Sequence, residues 1–157
     1  MNGLATALMA WIAANSTYDT AIMPIPEIVL MTPIELTAEA YSDTPDLIPD
    51  SRVDDRVLAL YSFEDGANGT VYLLAPEQPN ILVDPEELSE FDPLFEERLL
   101  HELVHHVQRM SGAYDAFPCR NFGELQAYQL GGSYLRQRNV EDPLPNRNFR
   151  AHIYSRC

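Results

Sequence analysis

Apolar residues recur at Leu4, Leu8, Trp11 and Ile12. That three-and-four spacing places side chains on one face of an α-helix, so residues 1–15 predict an amphipathic helix. Pro24 and Pro26 end the region. Ile28, Val29, Leu30 and Met31 form a short run of strand formers. Thr32, Pro33 and Glu35 then combine a hydroxyl cap, a proline at the first helical position and a carboxylate that reaches back to the cap. They predict a short helix to about Tyr41. Residues 42–55 are rich in Asp and Pro and predict a loop. Residues 56–63 and 70–74 alternate apolar with small or polar positions around the turn residues Asp65, Gly66, Asn68 and Gly69, which predicts a β-hairpin. Residues 81–83 predict one more short strand, and Asp84, Pro85 and Glu87 repeat the helix-start pattern.

Asp92 and Pro93 open the longest helix of the pattern. Glu96 and Glu97 sit near its positive end and Arg109 near its negative end, with Gly112 as a left-handed stop. Leu99, Leu103, Val107 and Met110 share one face, which predicts packing into a core. Asn121, three residues before Glu124, suggests a cap for a further helix to about Arg138, with a kink or break at Gly131 and Gly132. After Asn139 the tail shows no periodicity. Helices and short strands in this order predict an α+β fold, a single domain over residues 1–157 with a small mixed sheet.

Composition narrows the function. The 157 residues are 46% hydrophobic and 22% charged, an ordinary globular balance. Ten Arg and no Lys face 24 acidic residues, giving a formal net charge of -14. Such a surface repels phosphate backbones and argues against nucleic acid as a partner. Residues 4–14 are apolar but too short to span a bilayer, and no basic residue precedes them, so they predict the first helix and neither a membrane span nor a signal peptide. Cys119 and Cys157 are too few for a disulfide framework. They either pair in an oxidising compartment, which favours a periplasmic or secreted protein whose signal has been removed, or stay free thiols. The oligomeric state is not legible.

The chemistry sits at residues 101–105, His-Glu-Leu-Val-His, inside the longest predicted helix. Residues four apart lie one turn above each other, so His101 and His105 can aim two imidazole nitrogens at one ion. Zinc takes such nitrogens at roughly 2.0–2.1 Å and prefers four ligands. Glu102 lies about 100° round the helix from His101. There it can reach water beside the metal, as a general base must. His106 points away from the His101–His105 face and is not expected to be a ligand. The third ligand is expected to be Glu124, on the next helix. A capping role with Asn121 is its rival, and Cys119 and His152 are competing ligands.

His-Glu-x-x-His followed, after eighteen further residues, by Glu124 resembles the gluzincin branch of the zincin metallopeptidases. The metzincin branch wants a Gly and a third His soon after the motif, where this chain reads His106, Val107, Gln108, Arg109 and Met110. The resemblance is carried by residues 101–128, and the chain also resembles small bacterial zincin-like domains of unassigned substrate. It implies a minimal zincin-like domain and one Zn2+ per chain, held by His101, His105 and Glu124. It also implies hydrolysis of a peptide or protein substrate, with Glu102 as general base. An oxyanion donor is needed besides zinc, and Tyr128, His152, Tyr114 and Tyr154 are the candidates. An edge strand of the hairpin, or residues 81–83, can hold an extended substrate. The rival readings are a closed structural zinc site and a metal-free acidic interaction domain.

Overall fold

The structure, a computed structural model, describes residues 1–76 and 92–157. The strand expected at 81–83 and the helical turn expected after Asp84 lie outside the described residues. The fold is α+β. In chain order its main elements are α1 (Asn2–Asn15), β1 (Glu27–Met31), α2 (Pro33–Ala40), β2 (Ala59–Ser62), β3 (Thr70–Leu74), α3 (Pro93–Met110), α4 (Glu124–Gln137) and α5 (Arg147–Tyr154).

The local signals explain most of these elements. In α2 the Thr32 hydroxyl accepts from Glu35 N–H while the Glu35 carboxylate accepts from Thr32 N–H, so the capping box is complete. In α3 the Asp92 carboxylate accepts from Leu94 N–H at 3.0 Å, and Pro93 follows. Gly112 takes φ 75, the left-handed turn that ends the helix. The hairpin forms as expected: β2 pairs antiparallel with β3, which also pairs parallel with β1, giving the order β1-β3-β2.

α3 runs through the middle of the molecule, against α1, α4 and the β2–β3 part of the sheet. Leu99, Leu100, Leu103, Val104 and Val107 of α3 are fully buried with Ile12 of α1, Val71 and Leu73 of β3 and Ala127 of α4. A helix covered on several sides also buries polar residues, here Glu96, Glu97, Glu102, His106 and Gln108. Met110, expected on the buried face, is exposed at the helix end. No helix among the described residues is long and apolar enough to cross a membrane.

Two ion pairs tie the later helices to α3. Glu96 accepts from Tyr134 Oη at 2.5 Å and pairs with Arg138 at 3.0 Å. Glu97 pairs with Arg147 at 2.6 Å, and Arg147 also makes a two-bond contact with Asp142. Glu96 and Glu97 therefore act as buried anchors, beyond their expected place near the helix dipole.

The α4 helix runs unbroken through Gly131 and Gly132, against the expected kink. The glycines are there because Glu97 and Arg147 pack directly on the helix backbone; a Cβ at Gly131 would run into the Glu97 carboxylate. Helix propensity alone gives Gly131→Ala a gain of about 1 kcal/mol. The clash with a buried, paired carboxylate outweighs it, and a net loss of about 1–3 kcal/mol is expected. Urea unfolding checks this, and a raised midpoint would show that Glu97 gives way freely.

Two further expectations need correction. Asn121 caps no helix: residues Arg120–Gly123 form a 3-10 turn, α4 starts from Gly123, and the Asn121 amide donates to the Arg156 carbonyl. The tail is not featureless, since it contains α5.

Candidate metal centre

α3 and α4 pack side by side and bring His101, His105 and Glu124 together. One ligand atom from each lies within 4.8 Å of the others. His101 Nε2 is 3.2 Å from Glu124 Oε2, and His105 Nε2 is 3.4 Å from Glu124 Oε1. The two imidazole Nε2 atoms are 3.3 Å apart. Two ring nitrogens and a carboxylate thus converge on one point, a donor set suited to a divalent cation. Burial opposes ionisation of Glu124, but the hydrogen bonds from His101 and His105 outweigh it and hold its carboxyl well below the usual range. His105 also loses charge stability to burial, yet the hydrogen bond to Glu124 and the charges of Glu102 and Glu124 raise its pKa overall.

Glu102 is buried. Burial raises its pKa, partly offset by the nearby His101 and His105. A raised carboxyl pKa in reach of two imidazoles suits a group that takes and returns a proton. Tyr128, one helical turn after Glu124, sets its ring edge-to-face against His101 at 4.8 Å between centroids. Its hydroxyl is pushed up to about 12 by burial, helped by the negative charge of Glu124. Tyr154 of α5 stacks on the outer face of Tyr128 at 5.7 Å.

The other candidates lie elsewhere. His152 is exposed on α5 and outside the donor cluster. Tyr114 packs with Phe117 and Arg109. Cys119 is bonded to Cys157, with 5.7 Å between their Cα atoms, and so has no thiolate to offer. That disulfide ties the chain end to the turn that precedes Glu124. His106 is fully buried: its ring lies 2.8 Å from the Pro24 carbonyl through Nε2 and 3.2 Å from the Tyr61 hydroxyl through Nδ1, and burial lowers its pKa. It is a packed histidine, where the helix wheel only turned it away from the His101–His105 face.

The sequence model of the family described as Domain of unknown function (DUF6647) matches residues 1–151. The chain belongs to this family. No curated protein and no solved structure matches it. The matched span takes in all three donors of the DUF6647 chain, Glu102 and Tyr128.

One polar residue at this site escaped the sequence reading. Gln108, fully buried on α3, lies 3.1 Å from His105 Nδ1 through Oε1. Its position three residues after His105 puts it on the same side of the helix, but a glutamine on a helix ordinarily signals a solvent-facing position. Gly123 allows its approach, since a Cβ there would lie 2.5 Å from Gln108 Oε1.

Proposed function

We propose that this chain is a zinc-dependent peptidase, its ion held by His101, His105 and Glu124. The observation that carries the reading is the convergence of these three donors from two helices. Facing lone pairs on two imidazole Nε2 atoms 3.3 Å apart repel unless a cation or a proton lies between them. The HExxH-and-Glu pattern of the zincin resemblance falls on the same three residues.

When bound, zinc supplies Lewis acidity, polarising a carbonyl and lowering the pKa of water. Glu102 takes the proton from the attacking water and returns it to the leaving amine nitrogen. Tyr128 stays protonated at neutral pH and can donate to the developing oxyanion. Its contact with His101 favours it over His152 for that role. β2 is paired on one side only among the described residues, and its Tyr61 hydroxyl is hydrogen-bonded to His106. An extended peptide can add to that edge beside α3.

A structural zinc site is the second reading. Structural sites close all four positions with protein ligands. Among the described residues three donors converge here, Cys119 is in a disulfide and His152 stands outside the cluster, which favours catalysis. The disulfide also supports an oxidising compartment, periplasmic or secreted.

The test is zinc content joined to a peptide-library digest. Wild-type protein is expected to hold close to one zinc per chain and to cleave. Glu124→Ala is expected to lose tight zinc binding, whereas Asn121→Ala, which alters only a contact to the tail, keeps it. Equal retention in both variants would remove Glu124 from the metal, and a wild type that binds no zinc would end the proposal.

A further inference from the structure

Gln108 does more than fill space beside the donor cluster. Its amide has two ends, and their partners decide which is which. Nε2 lies 3.0 Å from the Gly123 carbonyl oxygen and 3.1 Å from Gln126 Oε1. A carbonyl oxygen only accepts, so the end facing Gly123 must be the donating NH2. Gln126 Oε1 also accepts from the Tyr18 hydroxyl at 2.8 Å. The acceptor end of Gln108, Oε1, is left facing His105 Nδ1 at 3.1 Å. An acceptor there requires Nδ1 to carry hydrogen. In neutral imidazole the other nitrogen, Nε2, then bears the lone pair, and Nε2 is the atom that faces His101 and Glu124.

We infer that Gln108 is a positioning residue that keeps a proton on His105 Nδ1 and so leaves Nε2 as the nitrogen turned to the donor cluster. The relay runs from Tyr18 through Gln126 and Gln108 to His105. It spans the loop after α1, α4 and α3, so the ring is oriented by three parts of the fold. Its consequence for zinc rests on the metal reading above; the tautomer itself does not.

The experiment has two arms. In the first, long-range 1H–15N spectra of the metal-free wild-type protein are expected to show His105 protonated at Nδ1, where the Gln108 oxygen accepts. A bare Nδ1, or an even mixture of tautomers, overturns the inference. In the second, zinc is titrated against a competing chelator. Gln108→Met, similar in length but without the acceptor, is expected to bind zinc about 10–100-fold more weakly. Gln108→Glu keeps an acceptor at Nδ1 and is expected to recover most of that affinity. Wild-type affinity in Gln108→Met, or equal loss in both variants, would reduce Gln108 to a packing role. If the wild type binds no zinc, the peptidase reading falls, and the wild-type spectrum alone decides the tautomer. That spectrum also stands if a variant fails to fold.

Discussion

Glu102→Gln is expected to bind zinc as the wild type does and to lose peptide turnover by about 10²–10⁴-fold, the range general-base catalysis supplies. Glutamine keeps the size of the side chain and removes its basicity. Glu102 is outside the set of three donors, so the ion should be untouched. It is buried at the edge of the site, where burial lifts its pKa and the neighbouring imidazoles pull it back. A neutral side chain is free of the cost of burying a charge in such a place, and the variant should stay folded with a melting temperature near that of the wild type. Zinc content, melting temperature and kcat on a cleaved library peptide separate the three effects. Unchanged kcat would assign the base elsewhere. Loss of zinc together with activity would make Glu102 part of the metal's support.

Arg147→Met should destabilise the fold by about 3–5 kcal/mol, the cost of stripping one partner from a buried ion pair. Arg147 and Glu97 are 6% and 9% exposed at their side chains, so water does little to rescue the stranded carboxylate. Asp142 loses its two-bond partner as well, but it is more exposed and contributes less. The double variant Glu97→Met with Arg147→Met removes both charges, and most of the loss should return, because a buried pair replaced by apolar groups is often neutral. Denaturant unfolding of the two variants gives the comparison. A double variant no more stable than Arg147→Met would mean that the arginine matters through its packing on α4. Glu97 and Arg147 meet beside Gly131, seven residues after Glu124 on the same helix. Their loss should therefore also loosen the placement of the third donor.

The parts of the fold that could be read from the sequence are those in which one local signal met no competitor. The Thr32 and Asp92 starts and the Gly112 stop involve neighbours in the chain, and each formed as expected. His101, Glu102 and His105 were legible because a helix fixes their relation by itself. α5 was illegible for a physical reason. Its buried face presents Arg147, Ala151 and Ser155, while Phe149 and Ile153 are 65% and 43% exposed. A hydrophobic pattern cannot reveal a helix held by an ion pair and small residues. The Asn121 cap failed because its amide finds the Arg156 carbonyl, in a tail that the disulfide brings back. Glu124 does come to lie beside His101 and His105, although the helix it belongs to begins two residues later than the Asn121 cap suggested. Gln108 needed the third dimension: only the Gly123 and Gln126 contacts distinguish it from a surface glutamine.

The Cys119–Cys157 bond, whose ends are 38 positions apart in the chain, turns the stretch from Cys119 to Cys157 into a closed ring containing α4 and α5. A ring tolerates one cut. If a protease nicks any peptide bond within it, both pieces remain covalently joined, and the segment bearing Glu124 cannot diffuse away from the segment bearing the histidines. Under proteolytic attack, a single scission becomes a scar and not an amputation. Such a molecule would keep its full mass, plus one water, until a reductant releases the fragments.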